Sequence, residues 1–314
     1  VRESLESVNS LDYPDFELIL VDNCSTDRSF DLLKRVCTKM RVKVKLWRAS
    51  RNLGFTGGNN LAYKLADPDS EYIVLLNNDA LISSNSLKEI IEYLESDEKA
   101  ASAQGTITDG CETWTALYID EVLCTRDLKQ NPKRELPISY ADGCYSVLKR
   151  KVLRKIGMNS KLFVDEVFAY FDDIYLGMKF WKHGYKVVGI PTEASFHYKV
   201  QTFKRMEPSW LAYIRERAHV ISVCTTNSRW RKAILLQKRV RSGHPYMKKA
   251  LEDGIRIAKR MERFDLYAMP YVPVGLRDLV KYLTEPFGPM KKMGLYQSRR
   301  KVEFSEIRVP DWVS

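Results

Sequence analysis

Apolar and polar positions follow two periods over the first two hundred residues and one period thereafter. The run Tyr72-Ile73-Val74-Leu75-Leu76 carries no charge and two β-branched residues, which predicts a strand buried on both faces. It stops at Asn77-Asn78-Asp79, two amides and a carboxylate that are equally good turn chemistry. Upstream, Leu5 and Val8 share a helical face, and Asp12-Tyr13-Pro14 breaks that helix. Phe16 to Val21 reads as a strand running into Asp22-Asn23-Cys24-Ser25-Thr26-Asp27, and Phe30, Leu33, Val36 and Cys37 line a helix after it. Val42 to Trp47 alternates like a half-exposed strand. Arg51 to Asn60 reads as a glycine-rich loop opening a helix over Leu61 to Ala66.

Beyond the central run, the pattern predicts a helix near 86–96 and strands over Ala100 to Ile107 and Cys144 to Leu148. Residues 108–140 show no clear period. Basic helix Lys149 to Ile156 follows, then an aromatic stretch, then a helix from Ile174 to His183 that Gly184 stops. Tyr185 to Ile190 reads as a strand, which Pro191 interrupts and Ala194 to Tyr198 resumes. Residues 208–226, 228–241, 246–264 and 274–284 each carry helical periodicity with many Lys and Arg. Strands alternating with helices predict an α/β fold, a mainly parallel sheet flanked by helices, over 1–198. Residues 199–314 form a second, basic and mainly helical region beginning near Lys199.

Charge divides at the same place. Residues 1–198 hold 26 Lys and Arg against 29 Asp and Glu, whereas 199–314 hold 25 against 11, so the formal +11 belongs entirely to the C-terminal third. Such a segment attracts phospholipid, phosphorylated substrate or nucleic acid, and solvated helix faces produce the same excess, so charge alone does not choose. The six cysteines form no CxxC, and reduced thiols in a cytoplasmic protein are the simplest reading, with a Cys111–Cys124 pair as the alternative. No apolar run approaches the ~18 residues of a membrane span, and no secretory signal is visible. The first residue is Val1, not methionine, which leaves room for sequence upstream.

Three polar clusters, Asp22, Asn77-Asn78-Asp79 and Asp172-Asp173, stand at strand ends or a helix start. Strand C-termini gather on one edge of a parallel sheet, so Asp22 and Asp79 are expected in one crevice fit for an anionic ligand and its metal. Each alone is an ordinary cap or turn residue.

In order, Val21 to Asp27, Asn52-Leu53-Gly54-Phe55 through Gly57 and Asn60, and Leu76 to Asp79 resemble family-2 inverting glycosyltransferases of the GT-A fold. Phe163 to Leu176, Lys182 to Val187 and Phe196-His197-Tyr198 extend the likeness, most of all to rhamnosyl- and galactofuranosyl-transferases. The resemblance covers roughly residues 1–200. It implies a nucleoside-diphosphate sugar donor, with UDP or dTDP, bound by Asp22, Asn23, Arg51, Asn52, Gly57, Asn60, Asn77 and Asn78. It also implies Mn²⁺ or Mg²⁺ on Asp79 and His197, the imidazole favouring Mn²⁺. For His197 an interior histidine bonded to a backbone carbonyl is the alternative. Asp173 would be the general base, with Asp172 raising its basicity, although paired carboxylates also cap helices. Asp142 and Gly143 would touch the acceptor or simply make a turn.

The acceptor would be a glycan or a polyprenyl-phosphate-linked species, and aromatics among the C-terminal cations suggest a peripheral seat on an anionic membrane face. No nucleic acid is expected. Two departures from the family stand out: its first strand is absent, and its DXD motif is reduced to one carboxylate. The competing class is a non-catalytic basic protein, binding nucleic acid or membrane, on a degenerate sugar-nucleotide fold. A sugar-1-phosphate nucleotidyltransferase shares the α/β layout, but the acidic pair and the histidine argue against it.

Overall fold

In the computed structural model, which describes residues 1–198, 207–284 and 300–313, the chain opens with α1 (Arg2–Asn9), burying Leu5 and Val8. β1 (Glu17–Asp22), α2 (Ser29–Cys37) and β2 (Lys43–Arg48) make a right-sized crossover, and the two strands pair in parallel as a separate two-stranded sheet. The register sets Asp22 opposite Arg48.

α3 (Gly54–Leu65) starts well before the expected Leu61, so the glycine-rich stretch is helix rather than loop. Helix N-termini leave amides without intrahelical partners, and here side-chain amides serve that end. Asn52 Oδ1 accepts the Gly54 N–H at 2.9 Å, and Asn23 Oδ1 accepts that of Leu53 at 2.8 Å. Gly54 has a φ of 69°, and a Cβ on it would collide with the Phe168 carbonyl oxygen.

β3 (Tyr72–Leu76), β4 (Ala80–Ile82), α4 (Ser86–Ser96) and β5 (Ala100–Thr108) follow. The stretch without a legible period folds into β6 (Thr113–Trp114), β7 (Leu117–Asp120), β8 (Thr125–Leu128) and β9 (Leu136–Pro137). β10 (Tyr145–Lys149), α5 (Arg150–Lys155), a 3₁₀ turn (Asp165–Val167), α6 (Asp172–Lys182) and β11 (Lys186–His197) complete this region. Pro191 does not end β11; the strand absorbs it in a register irregularity between Gly189 and Glu193 against β5.

The central sheet runs β3-β10-β5-β11-β4, with β6 on β5 and β9 on β11. It is mixed rather than mainly parallel: β11 is parallel to β5, but β10 is antiparallel to both β3 and β5, and β4 is antiparallel to β11. Asn77 to Asp79 is too short a link from β3 to β4 for a parallel crossover, and β10 re-enters only after the long 109–144 excursion. β3 is also not buried on both faces, since Val74 remains 39% exposed. Among the described residues β1 pairs only with β2 and β3 only with β10, and both strands line one large cavity.

The C-terminal region supplies α7 (Pro208–Thr225), α8 (Arg231–Val240), α9 (Pro245–Ala258), β12 (Tyr271–Val272), α10 (Leu276–Thr284) and β13 (Arg300–Val302). The boundary expected at Lys199 lies outside the described residues. α9 stops short of 264 because Phe264 turns back, its N–H donating to Thr225 O at 2.9 Å. This region is more than an appendage: β12 pairs with β7 and β13 with β8, giving the third sheet, β12-β7-β8-β13. One apolar core runs through both regions, from Leu75 and Val147 to Ile221, Leu266 and Val302. The six cysteines are free thiols, Cys111 and Cys124 among them.

Candidate active site

A cavity of about 3360 Å³ runs along the whole of β1 and β3 and extends past their ends to α6 and α7. Asp22, Asn23, Asn52, Asn77, Asn78, Asp79, Asp142, Gly143, Asp172, Asp173 and His197 all line it, although more than 170 positions separate the first from the last. Arg51, Gly57 and Asn60 do not.

Each exception has a physical reason. Asn60 spends its amide on the loop before α6: Nδ2 donates to Phe163 O at 2.9 Å and Asp165 Oδ1 at 2.7 Å, and Oδ1 accepts the Leu162 and Phe163 amides at 2.9 Å. Gly57 lies inside α3, where a Cβ would stand 2.8 Å from Leu53 Cβ, so it serves helix packing. Arg51 is exposed on the surface. The arginine beside Asp22 is instead Arg48, whose Nε meets Asp22 Oδ2 at 3.2 Å and whose Nη2 donates to Ser25 O at 2.9 Å. The parallel β1–β2 register delivers it, and a strand-end cation paired with a strand-end acid was the signal available in the sequence. Asn23 reaches the cavity while clamping α3, with Nδ2 donating to Gly54 O at 2.8 Å.

Asp79 and His197 meet across the cavity wall. β4 pairs antiparallel with β11, which sets Ala80 opposite His197. His197 Nε2 lies 3.1 Å from Asp79 Oδ1 and 3.5 Å from Asn77 Nδ2. Among the described residues the ring meets side chains rather than a backbone carbonyl. Among the described residues no group of three or more His, Cys, Asp and Glu could hold a metal ion. Asp79 and His197 thus offer an oxygen and a nitrogen, a partial shell of the kind that ligand oxygens complete.

The acidic groups of α6 line the same cavity. Asp173 Oδ1 accepts the Ile174 amide at 2.8 Å in the first turn of α6. Asp172 is 8% exposed, and burial, aided by the charge of Asp142, pushes its carboxyl up to about 7. Asp142 is itself fixed: Trp114 Nε1 donates to Oδ2 at 3.1 Å, Cys144 N to Oδ1 at 3.1 Å, and its own amide donates to Gln104 Oε1 at 2.5 Å. Trp114 and Gln104, from β6 and β5, carry no signal in the sequence pattern. The approach to α6 is strained, with Phe168, Tyr170 and Phe171 at φ of 67°, 62° and 67°, and such backbone concentrates at functional sites.

Residues 1–157, half of the chain, match the family described as Glycosyl transferase family 2. The chain belongs to that family. A curated relative, the poly(ribitol-phosphate) beta-N-acetylglucosaminyltransferase TarS of Staphylococcus aureus (strain Mu50 / ATCC 700699), is 29% identical over 98 residues, 30% of this chain and 16% of TarS. Among solved structures, GalNAc-T7 with UDP, GalNAc and Mn²⁺ superposes with a TM-score of 0.57 at 13% identity, covering 78% of this chain and 50% of that one. TarS 1-349 in complex with UDP gives 0.51 at 17% identity, covering 81% and 76%. At such identities the likeness shows the GT-A fold of this glycosyltransferase.

Proposed function

We propose that this family-2 member is an inverting glycosyltransferase that takes its sugar from a nucleoside diphosphate, UDP or dTDP, with a divalent cation. The observations that carry the reading are the Asp79–His197 contact at 3.1 Å, with Asn77 beside it, and the buried Asp172 next to Asp142 and Gly143, all on the cavity that Asp22 also lines. Asp22, Asn23 and Asn52 stand at the nucleoside end, and Asn77 and Asn78 toward the diphosphate. Asp79 and His197 would hold Mn²⁺ or Mg²⁺, the imidazole favouring Mn²⁺. When bound, such an ion neutralises charge growing on the departing diphosphate. The GalNAc-T7 structure, with UDP and Mn²⁺, supports a cation of this kind by analogy of fold.

Asp173 removes the proton from an acceptor hydroxyl as its oxygen bonds to the anomeric carbon. The bond from that carbon to the diphosphate oxygen breaks, and its electron pair leaves with the diphosphate. One displacement with one base inverts the centre. Asp142 and Gly143, beside Asp172, face the acceptor. The acceptor is a glycan hydroxyl or a polyprenyl-phosphate-linked one, and the basic C-terminal region gives the enzyme a peripheral seat on an anionic cytoplasmic membrane surface. No helix among the described residues is long and apolar enough to cross a membrane.

Isothermal titration of UDP, dTDP and GDP, each with and without Mn²⁺, tests the donor half. A pyrimidine diphosphate should bind at least tenfold tighter with Mn²⁺, and Asp79→Ala should erase that gain. Binding that ignores both the metal and the base would overturn the reading.

A further inference from the structure

Beneath Asp172, between the central sheet and the first turn of α6, lies a second cavity of about 10 Å³. Leu75, Ser102, Ser146, Phe163, Asp172 and Leu176 are among its walls. Residues paired across strands face the same side of a sheet, and here Leu75 sits opposite Ser146 and Ser102 opposite Leu148. Both serines therefore point at the face that α6 covers. Ser102 and Ser146 are 1% and 2% exposed. The Ser102 hydroxyl has no hydrogen-bond partner among the described residues, an arrangement that buried hydroxyls rarely keep. The volume matches about one water molecule, and two hydroxyls with a carboxyl supply the usual three partners of a buried water.

We propose that Ser102 and Ser146 hold one internal water against the Asp172 carboxyl and through it set the protonation of the acidic pair. They are positioning residues, since neither faces the large cavity. The consequence for transfer rests on the proposed roles of Asp172 and Asp173. Backbone amides of Tyr170 and Asp173 also donate to this carboxyl, and the titratable groups near it are Asp142 before β10 and the Tyr170 hydroxyl, with Arg215 of α7 lying over the Tyr170 ring at 5.2 Å. A water donating to the carboxylate favours its ionised form, so its loss moves the titration upward.

The test is a ¹³Cγ-aspartate NMR titration of the full chain, with Asp172 assigned by Asp172→Asn. In Ser102→Val one methyl replaces the hydroxyl and the other fills the cavity. The Asp172 midpoint should then rise by about one unit, a tenfold change in its ionisation constant. Ser102→Ala, which leaves the water on Ser146, should move it less. Midpoints in both variants that coincide with wild type would overturn the proposal. So would a high-resolution crystal structure with no density between Ser102 and Asp172, a measurement that decides the matter even if the valine variant fails to fold. The titration needs neither donor nor acceptor. A shifted midpoint together with an active Asp173→Asn enzyme would therefore leave the bridge standing and remove the catalytic reading.

Discussion

At the scale of single residues, the site works by giving two neighbouring carboxyls different surroundings. Both stand in the first turn of α6, where Asp173 Oδ1 accepts the Ile174 amide, while Asp172 is buried beside Asp142 and accepts backbone hydrogen bonds that only partly offset its burial. Asp173→Asn keeps the shape and removes the base, so transfer should fall by at least about a hundredfold, the usual worth of a general base. UDP affinity measured by titration calorimetry should stay within about twofold. Asp172 makes a separate prediction for stability. Its native carboxyl titrates near 7 against 3.8 for the ordinary group, so between those values the folded chain binds the extra proton. Stability then falls as pH rises through that window, the opposite of a salt-bridged aspartate. Asp172→Asn removes the penalty: at pH 8 the variant should melt a few degrees above wild type, and at pH 4 the two should coincide within error. Scanning calorimetry at the two pH values checks the sign. A variant less stable than wild type at pH 8 would mean that the carboxylate is held by donors the asparagine cannot replace.

Between elements, the donor side and the acidic side are joined by the contact of α3 with residues 162–171. Thr56 N donates to Phe168 O at 3.1 Å, Thr56 Oγ1 to Asp165 O at 3.2 Å, and Asn60 carries four further bonds to the same segment. Gly54 permits the close approach, since its φ is 69° and Phe168 occupies the space a side chain would need. Gly54→Ala therefore meets both a backbone and a steric cost. It should destabilise the enzyme by at least about 2 kcal/mol in urea unfolding and weaken nucleotide binding as well. A variant as stable as wild type would show that α3 can shift without loss. These elements also mark where the sequence was legible. Strands β1, β2 and β3 and helices α2, α4 and α6 follow their periodicity closely, and Asp22 and Asp79, just at and beyond the ends of β1 and β3, line one cavity although the two strands belong to different sheets. Asn60 and Gly57 lie off the cavity, which the sequence does not reveal because an Asn in a glycine-rich run looks the same whether it serves a ligand or a loop; the long-range contact with Phe163 and Asp165 separates the two. β4 and β6 to β9 escaped because strands of two to four residues carry no measurable period, and their pairing partners lie elsewhere in the chain.

Across the whole molecule, the charge boundary and the folding boundary do not coincide. The basic third begins after residue 198, yet the buried side chains on either side of that point form one core. Glu121, in the link between β7 and β8, shows how tightly the regions are tied. Its carboxylate accepts from Arg229 Nη2 and the Val274 amide at 2.7 Å each and from the Tyr267 hydroxyl at 3.2 Å, all groups of the C-terminal region. Ser139 Oγ donates to Pro270 O at 2.5 Å, and Trp181 packs on Trp312 with ring centroids 5.5 Å apart. Removing the C-terminal region would strip Glu121 of these partners, leave β7 and β8 with open edges, and uncover Tyr175 and Trp181 of α6 where they meet Phe264 and Trp312. A buried carboxylate without partners is among the costliest defects a fold can carry, and open edges invite association. Residues 1–198 alone should therefore bind the hydrophobic dye ANS, aggregate, and show no cooperative melt, whereas the full chain should unfold in a single calorimetric transition. Glu121→Gln probes the same tie more gently: the amide still accepts from Arg229 and Val274 but loses its charge, so the melt should stay single and move down by several degrees. Two resolved transitions in the full chain, or a truncated 1–198 that melts cooperatively, would mean that the basic region is a detachable module after all, and that the large cavity keeps its shape without it.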